Sequence, residues 1–467
     1  MAAASVPPGP EGYGFGNRLA FGRDALGFLL RQREYGDLVR FDDSLYMVNS
    51  PVLVEQVLKN TNGTYAITRD LLGEETDGSR ASQDVARWMR ARGLAGRGLN
   101  RTGLRAAGDG MARVVAGHAE RWRAAGSIEA IGALEELSAR LIAEFCLGPE
   151  PGRVPDLVAR LQDARLPAAV PWSGGTSLLR RRRLRRAGRE LVTEVSRLVA
   201  ARGAEPAGAP PAVADLLIEA CAEGALTFEG AVSVIVANLF AAHETTAAAL
   251  AWLFLLLDRH PQLHGRVVDE VDRELAGRLP VAADLPRLQV TEAVVKETLR
   301  LYPPLWYLER TVEEPDVLGG VPLRPGQRVA ISPFALHRDP ALYEDPLVFD
   351  PDRWIDRAAT PRLPGYTYLP FGGGPRMCLG AHFGTVAMVI ATATVLSRYR
   401  LAPAPDRTPV FDTRTILQPK GLVLDVTDRE PATASHGPGT TQQSERRWTE
   451  DDAALRRPAR VPPSRSS

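Results

Sequence analysis

The sequence predicts a mainly α-helical protein with small β-sheets, organised as a single large domain. Three observations lead there. Helical signals dominate from Asp84 to about Val271. A nearly unbroken apolar run, Ala231–Leu257, reads as one long buried helix. No Gly/Pro/Ser-rich linker divides the body into halves, and no internal repeat is present. Residues 1–7 read as a flexible N-terminus and 8–429 as the domain. Residues 430–467, rich in Ser, Thr, Pro and Arg and poor in aliphatics, read as a disordered tail.

The elements follow in order. After a Pro/Gly entry, a helix is expected around Asp24–Tyr35. Asp37–Val48 alternates apolar and polar residues and ends before Pro51, the pattern of a short hairpin. Pro51–Lys59 reads as a helix with proline in its first turn. Thr61–Gln83 reads as a long surface loop. The helical region is broken near Gly148–Pro155, Pro171–Gly175 and Gly203–Pro211. A helix over Leu288–Tyr302 stops before Pro303–Pro304, because the residue preceding a proline is driven out of the helical region. Val317–Ile331 reads as short strands with turns at Gly319–Gly320 and Pro325–Gly326. A last long helix is expected over Leu379–Tyr399.

Composition narrows the function. The 467 residues carry 57 Lys+Arg against 56 Asp+Glu, and 45% are hydrophobic. That is ordinary for a globular protein and lacks the basic excess of a nucleic-acid binder. Lys59, Lys296 and Lys420 are the only lysines, and with the Ala, Gly and Pro richness this is the composition of a GC-rich bacterial genome. Three cysteines, Cys146, Cys221 and Cys378, cannot build a disulfide framework or a four-cysteine metal site. Met1–Gly16 has no basic segment followed by an apolar stretch, so it does not read as a signal peptide, and a reducing, cytoplasmic setting is expected. Ala231–Leu257 is long enough to cross a bilayer. Asn238, His243 and Glu244 in its middle are costly in lipid, so it reads as a core helix and not a transmembrane segment. The arginine run Arg180–Arg186 invites a nucleic-acid or anionic-membrane reading, but with no other basic surface in the chain it reads as a solvated helix face or loop.

The most informative segment runs from Phe371 through Gly372, Gly373, Gly374, Pro375, Arg376 and Met377 to Cys378, Leu379 and Gly380. Consecutive glycines allow close backbone approach or positive φ. One cysteine follows at the mouth of an expected helix, where amide groups and the macrodipole favour a thiolate. A lone thiolate cannot complete a zinc site but can serve as a single axial ligand to haem iron. Taken alone, an inert buried cysteine is the commoner role. The ordered set F-x-x-G-x-R-x-C-x-G is far more specific than its parts.

In this set the sequence resembles the cytochrome P450 family, the haem-thiolate monooxygenases, and in particular soluble actinobacterial members. Phe371, Gly374, Arg376, Cys378 and Gly380 occupy the fixed positions of that family's haem signature. The resemblance implies a single cytochrome P450 fold, with haem b held between a long central helix and the cysteine loop. It implies Cys378 as the axial iron ligand, Arg376 as partner of a haem propionate, and Phe371 packed beside the sulfur. Glu244 and Thr245 match the acid–alcohol pair that delivers protons in this family. Ala242 stands where glycine is common and narrows the groove there. A threonine hydroxyl can bond back to the carbonyl four residues earlier and bend the helix. His243 and Thr246 read as structural. Glu297 and Arg300 match Glu-x-x-Arg, on one helix face at i, i+3. Arg353 comes from Phe349-Asp-Pro-Asp-Arg353-Trp354, which has Asp and Trp where the family has Glu and Phe. The three are expected to form a buried structural network. Trp88 and Arg92 match a W-x-x-x-R propionate pattern, and Arg310 a further propionate arginine. His337 fits a family motif as a structural residue.

The implied reaction takes O2, two electrons and two protons, inserts one oxygen atom into substrate and releases water. No nicotinamide or flavin fingerprint is present, since Gly12, Gly14 and Gly16 lack both spacing and context. Electrons are therefore expected from a separate ferredoxin and its NAD(P)H-dependent reductase, docking near arginines such as Arg90 or Arg97 on a monomer. Family alignment places Leu239, Phe240, Ala241, Leu305, Trp306, Tyr307, Leu308 and Leu417 at the distal pocket. None is charged, which suits a hydrophobic substrate. The Ala-His-Glu-Thr-Thr and Tyr-Pro-Pro-Leu-Trp segments resemble those of enzymes acting on terpenoids in secondary metabolism. The alternatives are a haem-thiolate peroxygenase, a non-oxygenating haem-binding relative, and a haem sensor or scaffold.

Overall fold

The protein's computed structural model describes residues 7–10, 14–67, 89–96, 101–165, 178–203, 212–355 and 364–429. Of residues 101–107, 165 and 178–181 it describes the backbone alone. The architecture is mainly helical with small sheets, as expected.

The apolar run forms a 32-residue helix, Phe228–Arg259, hereafter the central helix. Thr227 caps it, its side chain accepting the Gly230 N–H at 3.1 Å. From Ala247 to Leu257 every residue is buried. A helix apolar on all sides must be surrounded. Helices Ala130–Leu147, Leu178–Arg202, Val213–Ala222, Gln289–Leu301 and Ala381–Leu396 pack around it. Among the described residues it is the one helix long and apolar enough to cross a membrane, and 78% of its most apolar stretch is buried in the protein. Near its end, the Trp252 ring stacks on Tyr302 at 4.2 Å and its indole N–H donates to the Leu417 carbonyl at 3.2 Å.

The second strongly apolar helix, Ala381–Leu396, follows the cysteine loop. It is buried throughout from Val386 to Leu396 and packs on Arg101–Ala125 and Gln289–Leu301. The sequence expected it to run on to Tyr399. It stops at Leu396 because Tyr399–Pro403 pairs as a strand with Val423–Asp428, which also pairs with Ser127–Glu129.

The main sheet has five strands in the order Leu38–Arg40, Leu45–Val48, Arg328–Ile331, Leu308–Val312, Tyr65–Ala66. Leu45–Val48 and Arg328–Ile331 run parallel; the other pairs are antiparallel. A satellite core of Val54, Val57, Leu58, Val312, Val329, Ile331 and Leu369 glues helix Pro51–Lys59 to this sheet.

The hairpin and helix Pro51–Lys59 lie where the sequence put them. The first expected helix is Ala25–Gln32, with the Asp24 side chain accepting the Gly27 N–H, followed by a tighter turn over Arg33–Tyr35. Helix Phe15–Arg23 was not expected. The region Val317–Ile331 divides between two sheets: Asp316–Leu318 and Val321–Leu323 form their own hairpin, turned by Gly319 and Gly320 at φ 57° and 81°. The arginine run lies on Leu178–Arg202, with Arg182, Arg183, Arg185 and Arg186 exposed. Residues 68–83 of the expected surface loop, Arg97, and the tail 430–467 lie outside the described residues.

Candidate functional site

Cys378 sits between a tight turn, Gly374–Arg376, and the first turn of helix Ala381–Leu396. Its N–H donates to the Phe371 carbonyl at 2.8 Å, and the Met377 N–H to the Gly374 carbonyl at 3.0 Å, which close the loop. The glycines have separate reasons. Gly372 and Gly374 hold φ 68° and 67°. A Cβ on Gly374 would lie 1.9 Å from the Leu58 carbonyl oxygen, and one on Gly373 would lie 2.6 Å from the Tyr366 ring. The close approach the triple glycine permits is thus to the end of helix Pro51–Lys59. Phe371, half-buried, lies against Gly384 in the first turn of the following helix.

The Gly380 N–H donates to the Cys378 sulfur, as the helix-mouth reading expected, and the Arg92 charge also favours the thiolate. Burial outweighs both and pushes the thiol above its ordinary value. Cys378 is nonetheless an exposed residue. Cys146 is fully buried and its thiol is pushed up to about 12. Among the described residues no cluster of His, Cys, Asp and Glu could hold a metal by itself, so Cys378 offers a single donor.

Three arginines from distant segments converge beside this loop. Arg92, on the helical residues 89–96, donates to the Met377 carbonyl. Arg376 donates to Asn62 Oδ1 at 2.6 Å. Arg310, buried on strand Leu308–Val312, donates to Thr61 Oγ1 at 3.1 Å and to the Glu309 carbonyl at 2.8 Å. Burial, and then the Arg376 charge, pull Arg310 down to about 10. Burial and the Arg92 charge lower Arg376 in turn. Like charges gathered in this way suit a ligand with more than one negative charge. Trp88 lies outside the described residues. Thr61 and Asn62, which hold two of the arginines, were missed by sequence reasoning. They fall where a surface loop was expected, and the Asn62-Gly63 turn signal was the only hint.

On the central helix, the Thr245 hydroxyl donates to the Ala241 carbonyl at 2.9 Å, the back-bond the sequence suggested. The helix stays continuous through it. Ala241 is exposed, and Ala242, Glu244 and Thr245 are half-buried, on a helix whose flanking Leu239, Phe240, His243 and Thr246 are buried. That face is the open one. Burial pulls His243 down to about 4, so its imidazole is neutral.

The eight residues expected at the distal pocket differ in exposure. Of these, only Ala241 and Leu305, the latter 41% exposed, present substantial open surface. Leu239 and Leu417 have none and belong to the main core, with Phe240 beside them. The Leu417 N–H donates to the Pro304 carbonyl at 3.0 Å, which seats it there. Trp306 stacks on Phe21 at 6.1 Å and contacts Tyr307 at 5.7 Å. Tyr307 donates to Glu309 Oε2 at 3.1 Å. Leu308 pairs opposite Ile331 and packs on the satellite core.

Behind the loop, Glu297 and Arg300 are fully buried and doubly bonded, at 2.9 and 2.7 Å. Arg353 donates to Glu297 at 3.1 Å, and the Asp350 N–H at 3.0 Å. Arg300 also donates to the carbonyls of His337, Pro346 and Val348. The Trp354 indole N–H adds a bond to Glu297 Oε2 at 2.8 Å, one that phenylalanine could not make.

The family model described as Cytochrome P450 matches residues 176–425. This chain belongs to the cytochrome P450 family. It is 33% identical over 409 residues to the cyclooctatin synthase of Streptomyces melanosporofaciens, covering 84% of this chain and 88% of that protein. It is 37% identical over 200 residues to the pentalenene oxygenase of Streptomyces avermitilis, covering 42% and 44%. The solved cytochrome P450DA heme domain superposes with a TM-score of 0.76 at 20% identity, over 92% of this chain and 99% of that one, a likeness of fold. As a cytochrome P450, the protein is an oxidoreductase of the monooxygenase type.

The residues fit the haem that this family carries. The exposed Cys378 supplies one sulfur donor, the converging arginines suit two propionates, and the open face of the central helix pairs apolar Ala241 and Ala242 with Glu244 and Thr245.

Proposed function

We propose that this P450 inserts one oxygen atom of O2 into a terpenoid hydrocarbon or its early oxidation product. In this reading Cys378 would supply the thiolate that holds the iron of haem b, with Phe371 and Gly380 beside its sulfur. Arg92, Arg310 and Arg376 hold the propionates, with Trp88 as a further contact. When bound, the thiolate-ligated iron supplies dioxygen activation and O–O cleavage. The chain's own residues do the rest. Thr245 Oγ1 and the Glu244 carboxyl hold and pass protons on the open face of the central helix. The Glu297–Arg300–Arg353 network keeps the cysteine loop in place. Electrons come from a ferredoxin and its NAD(P)H-dependent reductase.

The observation that carries the reading is the exposed Cys378 with three arginines converging beside its loop. The substrate class is supported by apolar Ala241 and Leu305 and by the relatives' names. These include, besides the two above, a cyclooctat-9-en-7-ol 5-monooxygenase of Streptomyces melanosporofaciens, 42% identical over 175 residues, 37% of this chain and 38% of that one. The test has two parts. The reduced protein with carbon monoxide should show the strongly red-shifted Soret band of thiolate ligation, and a band without that shift overturns the ligand. Titration with cyclic terpene hydrocarbons should move the ferric spectrum from low to high spin. A response to fatty acids and not to terpenes overturns the substrate class.

A further inference from the structure

The arginines of helix Leu178–Arg202 are not spread around it. Arg182, Arg185, Arg186 and Arg189 recur at i, i+3, i+4 and i+7, which places them on one stripe. Arg183 stands beside that stripe, and all five are exposed. The other side of the helix is apolar, with Leu191, Val195 and Val199 buried in the main core. Glu190 and Glu194 are the only acids of the helix. Arg186 takes Glu190 at 2.8 Å, and Arg197 takes Glu194 at 2.8 Å. Arg182, Arg183, Arg185 and Arg189 have no acidic partner among the described residues.

The neighbouring helix does not neutralise them. Val154–Arg165 packs along this one: a Cβ on Gly188 would lie 4.0 Å from the Leu161 side chain, and one on Gly152 would lie 3.3 Å from Glu194. That segment exposes Arg153 and Arg160 with Asp156 and Asp163, an even balance. The whole chain is balanced too, with 57 Lys+Arg against 56 Asp+Glu, so the stripe is a local excess of positive charge.

Its surroundings select among polyanions. From Arg182 to Arg197 the helix has no Asn, Gln or aromatic side chain, the groups that read bases or stack on them. The helix packs on Val154–Arg165, the central helix, Val213–Ala222 and Ala130–Leu147, whereas the cysteine loop is built against Pro51–Lys59 and Ala381–Leu396. An electron donor addressing Cys378 therefore has its surface elsewhere. Val192, 44% exposed, lies one turn from Arg189 at the margin of the stripe. An apolar side chain beside guanidinium groups suits the headgroup boundary of a bilayer, and arginine binds phosphate oxygens two at a time.

We propose that this stripe docks the enzyme on an anionic phospholipid surface. The choice of lipid rests on the apolar substrate proposed above, which collects in a bilayer. The docked helix packs directly on the central helix, whose open face is the candidate site.

The test uses the full-length holoenzyme with vesicles of phosphatidylglycerol and phosphatidylcholine in equal parts, and with vesicles of phosphatidylcholine alone. Sedimentation should show binding to the anionic vesicles only, released by about 0.5 M sodium chloride. Arg185→Glu/Arg189→Glu should weaken that binding at least roughly tenfold. Arg324→Glu/Arg407→Glu, the same charge change at exposed positions elsewhere, should leave it near the wild-type value. Both variants should keep the wild-type reduced–carbon monoxide spectrum. No binding to either vesicle, equal binding to both, or equal loss in the two variants overturns the docking surface. Tighter binding to duplex DNA that is lost in Arg185→Glu/Arg189→Glu overturns the choice of lipid, as does slower ferredoxin-supported reduction in that variant with vesicle binding unchanged. If that variant loses its haem, Arg182→Gln/Arg183→Gln takes its place, and undiminished vesicle binding there overturns the proposal. Terpene-induced spin shifts are measured without vesicles, so their absence beside intact vesicle binding removes the substrate reading and leaves the docking surface standing.

Discussion

The Leu369 N–H donates to His337 Nε2 at 2.7 Å. Since that nitrogen accepts, the proton is on Nδ1, which lies 2.9 Å from the Arg300 carbonyl. One neutral imidazole thus ties the Glu297–Arg300 helix to the start of the cysteine loop. Burial pulls it down to about 3. His337→Ala removes both bonds and leaves a buried donor and acceptor, at a cost of about 1–3 kcal/mol for each group. The urea midpoint should fall, and haem should leave faster on dilution into apomyoglobin.

Three buried histidines make the fold acid-labile. His118 and His243 are each pulled down to about 4 and His337 to about 3, burial being the leading cause in all three. Their unfolded value is 6.5. The unfolded chain therefore binds more protons below that value, and stability is full above it and lost as pH falls. Each group weakens the folding constant by up to roughly tenfold per pH unit in that window. Denaturation midpoints measured from neutral pH down to the acid limb should show this slope, and His337→Gln should reduce it.

Glu297 collects bonds from Arg300, Arg353, Trp354 and the Asp350 amide. Glu297→Ala leaves two arginines uncompensated in the interior and should cost about 3–5 kcal/mol. The expected result is a protein that does not retain haem. Trp354→Phe removes only the indole bond and should cost about 1.5–3 kcal/mol, the range for a hydrogen bond to a charged group, with haem retained. Calorimetry and pyridine haemochrome content measure both, and equal losses in the two variants would contradict the network.

Gly374→Ala is the sharpest probe of the loop. Its Cβ would collide with the Leu58 carbonyl, and its φ of 67° is one that alanine resists. The strain is about 1–3 kcal/mol before relaxation, and the loop must withdraw from helix Pro51–Lys59. Haem affinity should fall while far-ultraviolet dichroism stays unchanged. Gly36→Ala, with positive φ but open space around it, should leave haem affinity at the wild-type value.

What the sequence disclosed follows from how local each signal is. The cysteine loop is legible because its residues are contiguous, and Glu297 with Arg300 because one helical turn sets their spacing. The Trp354 bond is invisible in sequence, since the segment carrying it lies more than fifty residues from its acceptor. Thr61 and Asn62 look like any polar turn until Arg310 and Arg376 arrive from the far end of the chain. The burial of part of the distal set is hidden for a related reason. Trp306 is covered by Phe21, from a helix with no apolar periodicity to announce it.

The meeting of Arg92, Arg376 and Arg310 has a thermal corollary. Their mutual repulsion eases when a dianion settles among them, so pigment occupancy and heat resistance should rise and fall together. Preparations with incomplete colour will melt in two steps, the earlier belonging to the bleached fraction.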